Sequence, residues 1–474
     1  MSQLQAIRSI PRMTLRDKFA VILLRHPLEL LTHLEQTYGD VVHCKIGRES
    51  VFFLNHPDDI RELLVGQHEN FRKGEGVMRL DRMLGRGLIT NDGPSHKKQR
   101  RLVQPAFHRK RIAGYATAMV EAAWQQAQAW QDGAEVDMAE EMLHLTLVIV
   151  GRTLFNTDVT AEADTFYEAL DTAMEAFRKI GLSNWGRLIE RLPFPINARL
   201  RRARARLDQV AYRVIDEHRR TGTDQGDLLS MLLLARDEDG NPMDELQVRD
   251  EIMTLFLAGH ETVAHALTWT FYLLTQHPDV LARLQQEVDT VLGDRPATFE
   301  DLPKLVYTER VLSESMRVCP PVWAIDRRAI RDVNLRGIPI PQGSRVIMSQ
   351  YVVHHDARFY PNPEHFDPER WTPEAREARP KFAYFPFGGG PRLCVGEPFA
   401  WTEGILLLAT LSQFWEARLA PDARIEFQPA VTLRPRYGVK MTLHRRAPRA
   451  GQYSTASARS TITSSTTGPL LAKD

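Results

Sequence analysis

A glycine-rich loop at residues 387–396, with the sequence FGGGPRLCVG, holds the most chemically informative side chain of the chain, Cys394. Three consecutive glycines and a proline indicate a tight loop whose shape larger side chains would obstruct. Apolar periodicity resumes after Cys394 and predicts a helix that runs through Leu408. Because a helix N-terminus favours negative charge, we expect Cys394 to be a thiolate. A thiolate on a rigid turn can act as a nucleophile or as a metal ligand. The alternative is a tight turn that carries its cysteine incidentally.

A second group of polar residues interrupts a long apolar helix pattern. The pattern extends from Asp244 to His277 without a proline, and a helix of that length spans about 50 Å. Gly259, Glu261 and Thr262 lie in its middle, among leucines, alanines and phenylalanine. A glycine, an acid and a hydroxyl destabilise such a helix, so their presence indicates a function. The alternative is a kinked core helix in which Glu261 is paired elsewhere.

The loop also carries a family resemblance. Its phenylalanine, glycines, arginine and cysteine match the haem-binding signature of the cytochrome P-450 family at every position, and the chain resembles that family from about residue 25 to 445. The resemblance implies a mainly α fold with small β-sheets (α+β). In that fold, a triangular helical domain has its long central helix over the haem.

The resemblance assigns roles around haem b (iron protoporphyrin IX). Cys394 is expected to be the thiolate axial ligand, whose electron donation favours O–O cleavage. Phe387 would pack near the sulfur, and Gly388 and Gly396 belong to the same haem loop. The expected propionate partners are Arg392, His96, Arg100 and Arg327, with Arg328 as the alternative to Arg327 one register away.

On the central helix, the resemblance is to the oxygen-activating motif. It implies that Thr262 hydrogen-bonds the bound dioxygen, with help from a local helix distortion at Gly259, and that Glu261 relays protons from solvent. Val263 replaces a second hydroxyl residue that is common in the family. A separate buried network, with the structural role of holding the cysteine loop, is expected from Glu314, Arg317 and Arg370.

Apolar segments indicate a substrate pocket. Residues 73–94 combine five glycines with large apolar side chains, and residues 166–185 form an apolar, aromatic-bearing segment. By resemblance, the first lies over the distal face of the haem and the second is a mobile lid. The candidate pocket residues are Met83, Leu84, Leu88, Phe177, Ala258, Val263, Trp323, Ile325 and Tyr437.

The implied activity is a monooxygenase that inserts one oxygen atom of O₂ into a fatty acid, terpenoid, carotenoid or steroid. Electrons would come from NAD(P)H through a separate ferredoxin or flavodoxin with its reductase, because no flavin- or iron–sulfur-binding pattern follows. Two alternatives are a peroxygenase that uses H₂O₂ and a non-catalytic haem–thiolate sensor. Retention of Glu261 and Thr262 argues against both.

Composition sets further bounds. With 61 basic and 60 acidic residues, the net charge of +1 gives no general attraction to nucleic acid. Three cysteines form no disulfide framework and fit a reducing compartment. The N-terminal sequence shows no membrane anchor. We expect a cytoplasmic monomer with one domain at residues 1–450 and a disordered, Ser/Thr-rich tail at 451–474.

Overall fold

The computed structural model of the protein describes residues 26–46, 49–157, 163–176, 192, 194–236 and 240–447. Phe177 and the rest of the predicted lid beyond residue 176 lie outside these ranges, and so does the tail at 451–474. No helix in the described ranges is long and apolar enough to cross a membrane.

Helices dominate the described part of the chain. The first begins at Pro27, where a missing N–H costs nothing, and ends at Gly39, whose φ of 84° is accessible to glycine. The helices are α1 (Pro27–Tyr38), α2 (Pro57–Arg61), α3 (Glu75–Met78), α4 (Asp81–Leu84), α5 (Gly93–Val103), α6 (Arg109–Ala129), α7 (Met138–Leu154), α8 (Ala163–Ala176), α9 (Pro195–Thr221), α10 (Leu228–Leu234), α11 (Glu245–Gln276), α12 (Pro278–Leu292), α13 (Val306–Val318), α14 (Gln350–His354), α15 (Pro373–Glu377) and α16 (Glu397–Phe414).

Short strands form small sheets beside the helices. The strands are β1 (Val41–Ile46), β2 (Glu49–Leu54), β3 (Phe71–Lys73), β4 (Glu135–Asp137), β5 (Ile325–Ala329), β6 (Val333–Leu335), β7 (Ile338–Ile340), β8 (Arg345–Met348), β9 (Trp415–Leu419), β10 (Phe427–Pro429), β11 (Leu433–Pro435) and β12 (Lys440–Arg445). The largest sheet has five strands in the order β1-β2-β8-β5-β3, and only its β2–β8 pair is parallel.

The central helix α11 confirms the predicted long helix, with Asp244 as its N-cap; the Asp244 side chain accepts a hydrogen bond from the N–H of Gln247 at 2.8 Å. It remains one unbroken α-helix, so the predicted distortion at Gly259 is absent from the structure. Gly259 instead gives room to α7, because a Cβ there would lie 2.9 Å from a methyl carbon of Val150.

The two strands β11 and β12 are consecutive in the chain, but they do not pair with each other. Strand β11 pairs with β10, and β12 pairs with β9 and β4. The partners of β12 come from distant parts of the chain, which local sequence patterns do not reveal.

Candidate functional site

The cysteine loop is held in shape by its own backbone. The N–H of Cys394 donates to the carbonyl of Phe387 at 3.0 Å, and the N–H of Leu393 donates to the carbonyl of Gly390 at 2.9 Å. Gly390 has φ +67°, and a Cβ there would lie 2.0 Å from the backbone oxygen of Leu64. Only glycine fits this position, so the packing against residue 64 explains part of the glycine run.

The Cys394 side chain faces a large internal cavity and is exposed to it. The surrounding protein shields it from bulk water, and this burial raises the pKa of the free thiol to about 11. Three nearby groups lower this pKa, but by less than burial raises it: the backbone N–H groups of Gly396 and Glu397, and the charge of Arg100. In the protein without a bound cation, burial therefore outweighs the effect of the helix N-terminus on this thiol. Since α16 begins only at Glu397, the thiol needs a bound cation to ionise near neutral pH.

The cavity has a volume of about 1890 Å³. Sites for one drug-sized ligand usually occupy roughly 300–1,000 Å³, so this cavity has room for a large cofactor together with a substrate. Most of the predicted site lies in its wall. The predicted residues found there are His96, Arg100, Arg327, Arg392, Phe387, Gly388, Cys394, Gly396, Gly259, Glu261, Thr262, Leu88, Ala258, Val263, Trp323 and Ile325.

Three predicted pocket residues lie elsewhere. Met83 and Leu84 pack into the hydrophobic core, because α4 turns this part of its surface inward. Leu80, which the sequence reasoning missed, lies in the cavity wall instead. Tyr437 is an exposed residue outside the wall, with the guanidinium groups of Arg424 and Arg436 at 4.5 and 5.3 Å from its ring centroid.

Cationic side chains converge on one side of the cavity. Burial lowers the pKa of Lys73 to about 7, and the positive charges of Arg327 and Arg392 contribute to this shift. Burial also lowers the pKa of His96 to about 4 and that of Arg327 to about 10, and neighbouring cations add to both shifts. Lys73 was not predicted from the sequence. Among the described residues, Arg327, Arg392 and Lys73 share only the Asp92 carboxylate, so this buried group is suited to bind an anion with more than one charge.

One carboxylate already belongs to this cationic group. Asp92 accepts hydrogen bonds from Arg392 at 3.0 and 2.8 Å. Although burial opposes its ionisation, the N–H of Lys73 and the Arg392 guanidinium hold the pKa of Asp92 below its ordinary value. The two neighbouring arginines of β5 differ in their surroundings. Arg327 faces the cavity, whereas Arg328 pairs with Glu49 and Glu75.

The central helix α11 also presents polar residues to the cavity. The Thr262 hydroxyl donates to the carbonyl of Ala258 at 2.9 Å. Glu261 is buried, and its Oε1 accepts a hydrogen bond from the Thr432 hydroxyl at 2.6 Å and lies 3.7 Å from Nε2 of His265. Glu261 is therefore paired with Thr432 rather than with Thr262, on a helix that is unbroken. Neither Thr432 nor His265 was predicted.

The glycine-rich segment over the cavity is fastened to α11 by carboxylates. The N–H of Leu88 donates to Glu251 at 2.9 Å, and the N–H of Arg86 donates to Asp250 at 2.6 Å. The Lys73 ammonium donates to the carbonyl of Leu88 at 2.7 Å. The Leu88 peptide is thus held from both sides, and this fixes its side chain in the cavity wall.

The predicted charged network is present, with Glu314 and Arg317 fully buried and Arg370 at its partly exposed edge. Glu314 accepts two hydrogen bonds from Arg317, at 2.9 and 2.8 Å, and lies 3.3 Å from Nε of Arg370. Arg317 also donates to the carbonyl of His354, whose ring accepts from the N–H of Phe385. The carbonyl of Phe385 accepts from Gly388, so hydrogen bonds connect the network with the cysteine loop.

Comparison with known proteins agrees with this geometry. The family model for cytochrome P450 matches residues 19–441. The chain belongs to the cytochrome P450 family. Cyclooctatin synthase from Streptomyces melanosporofaciens is 38% identical over 417 residues, which cover 87% of this chain and 90% of the relative. Pentalenene oxygenase from Streptomyces avermitilis is 36% identical over 428 residues, covering 90% and 94%. The crystal structure of the cytochrome P450DA heme domain superposes with a TM-score of 0.81 at 28% identity, covering 89% and 94%.

The chain is a P450 monooxygenase with the P450 fold. P450 enzymes hold haem iron through a cysteine thiolate. The residues of this chain fit that cofactor. A cysteine sulfur faces the cavity, and the cationic group beside it suits the two propionates of a haem.

Proposed function

We propose that this P450 oxygenates a terpenoid, and that Cys394 is the thiolate ligand of its haem b. The observation that carries this proposal is that the Cys394 side chain lines the same largely apolar cavity as the cationic group and the polar residues of α11. The thiolate-bound haem supplies the activation of O₂, with electrons delivered from NAD(P)H by a ferredoxin or flavodoxin. A cytoplasmic monomer remains a prediction from the sequence.

Each part of the cavity has a separate task in this proposal. His96, Arg100, Arg327 and Arg392 hold the propionates, and Lys73 adds a further cation on that side. Thr262 and Glu261 supply a hydroxyl and a carboxyl for proton delivery on the substrate side. Proton delivery of this kind typically accelerates a reaction by about 10²–10⁴-fold.

The substrate side of the wall is apolar. Its members include Leu88, Leu257, Ala258, Val263 and Ile325, and such side chains exclude water and bind hydrocarbon by burial of apolar area. The two Streptomyces relatives are named for terpenoid oxygenation. This supports a terpenoid over the other predicted substrate classes, which are fatty acids, carotenoids and steroids.

The experiment is a spectral titration of the purified protein, followed by turnover. Cyclic terpenes should displace water and shift the haem to high spin, whereas fatty acids of equal carbon number should not. Oxygenated product should appear with NADPH, a surrogate ferredoxin and its reductase. Thr262→Ala should retain the spectral shift and divert electrons to peroxide. A spectral response to fatty acids alone would contradict the terpenoid assignment, and turnover supported only by H₂O₂ would contradict the use of O₂.

A further inference from the structure

Glu261 lies in an unusual setting for a buried carboxyl. It is 8% exposed in the middle of an apolar helix, and it lines the cavity. Burial in such surroundings favours the protonated form of a carboxyl. One turn along α11, His265 is 3% exposed and places Nε2 at 3.7 Å from Oε1 of Glu261. The two residues are i and i+4, so the helix itself brings them together.

The second contact of Glu261 comes from a different part of the chain. The Thr432 hydroxyl, 3% exposed, donates to Oε1 of Glu261 at 2.6 Å. Thr432 lies between β10 and β11, and this turn is held in place from two sides. Trp323 donates to the carbonyl of Ala430 at 3.0 Å, and Trp269 donates to the carbonyl of Leu433 at 2.8 Å. The hydroxyl is therefore held in position against Glu261.

These contacts reverse the effect of burial. Burial alone raises the pKa of Glu261, but His265 and the Thr432 hydroxyl together lower it below its ordinary value. The other titratable group acting on this carboxyl within the described ranges is His260. Burial lowers the pKa of His260, and its Nδ1 lies 2.6 Å from the carbonyl of Phe256. His260 is therefore neutral near pH 7, and its ring bonds within its own helix. In the described part of the chain, the side chains that contact the Glu261 carboxylate are the His265 imidazole and the Thr432 hydroxyl.

We propose that His265 is a positioning residue that keeps Glu261 ionised and turned toward Thr432, and so sets the pH range over which this P450 delivers protons. The inference rests on the proposed role of Glu261. In this arrangement the Thr262 hydroxyl bonds to Ala258 rather than to the carboxylate. Glu261 must leave the His265–Thr432 side to reach Thr262. Thr432 lines the cavity, so a substrate bound there would lie next to the hydroxyl that holds Glu261.

The first test reads the protonation state of Glu261 without turnover. Infrared difference spectra of the ferric holoenzyme at pH 7 should show no carboxylic-acid band from Glu261 in the wild type. His265→Phe should produce such a band, and Glu261→Gln in that background should remove it. His265→Gln, which keeps an N–H donor, should give a weaker band. Thr268→Val is the control, because Thr268 is equally buried on α11 but donates to the carbonyl of Ala264.

The second test follows the coupling of NADPH consumption to product over pH. In His265→Phe, the pH below which coupling is lost should rise by about one unit or more, because Glu261 without this contact takes up its proton at higher pH. One unit corresponds to a tenfold change in the ratio of protonated to ionised carboxyl. Thr432→Val should move the pH of coupling loss in the same direction. No new infrared band and an unchanged pH of coupling loss in both His265 variants would overturn the inference. Absence of turnover in the wild type would instead count against the proposed function, because the infrared result does not depend on turnover.

Discussion

Removal of the buried Glu314 carboxylate should destabilise this P450 strongly. Glu314 and Arg317 are both 0% exposed, and Glu314 also accepts from the indole of Trp371 at 2.9 Å and from the N–H of Asp367 at 3.0 Å. Glu314→Ala leaves the arginine charge buried without its counter-ion. Breaking a buried pair in this way costs about 3–5 kcal/mol.

This cost translates into a modest change in melting temperature because the protein is large. An unfolding entropy of about 2.1 cal/mol/K per residue gives about 0.8 kcal/mol/K for a folded region of roughly 400 residues. The expected fall in Tm is therefore about 4–6 °C, measured by circular dichroism at a fixed scan rate. Haem content should also fall, because hydrogen bonds connect the network with the cysteine loop.

The matched control is Glu309→Ala on the same helix. Glu309 pairs with Arg376 at 2.8 Å, and both side chains are about 40% exposed (38% and 43%). An exposed pair contributes about 0.2–1 kcal/mol, so the control should lower Tm by about 1 °C or less. Equal effects of the two substitutions would refute the view that the network is a buried structural element.

Three further predictions follow from the packing and the charges of the cavity. Gly259→Ala should cost about 1–3 kcal/mol in urea unfolding by overpacking, and Val150→Ala should recover much of that loss in the double variant. Burial raises the pKa of Glu251 from 4.5 to about 7, so the folded state keeps this proton to higher pH than the unfolded state does. The free energy of unfolding should therefore fall by about 3 kcal/mol as pH rises from 4.5 to 7. Glu251→Gln should abolish this decrease in urea titrations at several pH values, and an unchanged pH dependence would exclude Glu251 as its cause. Arg327→Leu should speed the loss of haem to apomyoglobin by about tenfold through the lost charged hydrogen bond, whereas Arg328→Leu should leave it unchanged; equal rates would place the propionate contact elsewhere.

Local signals in the sequence predicted those parts of the fold that depend on neighbours in the chain. Helix α1 is set by such local signals, because Pro27 favours a helix start and Gly39 permits an end. The central helix follows from an uninterrupted pattern capped by Asp244. The loop around Cys394 was identifiable because its glycines and cysteine have fixed spacing.

Contacts between distant segments were beyond local signals. Whether Leu80 or Met83 faces the cavity depends on how the segment 74–90 docks on α11, and that docking uses Asp250 and Glu251. The orientation of Arg327 follows from the register of β5 against β8. Thr432 meets Glu261 across 171 positions of the chain, and no pattern around either residue indicates the pair.

The absorption spectrum of the dithionite-reduced protein under CO tests whether Cys394 is the haem ligand. We predict a Soret band at the wavelength typical of thiolate-ligated ferrous–CO haem. Cys394→Ser should lose this band, while Cys319→Ser, at a buried cysteine away from the cavity wall, should keep it. A band typical of histidine or neutral thiol ligation in the wild type, or a thiolate band that survives Cys394→Ser, would contradict the assignment of Cys394 as the haem ligand.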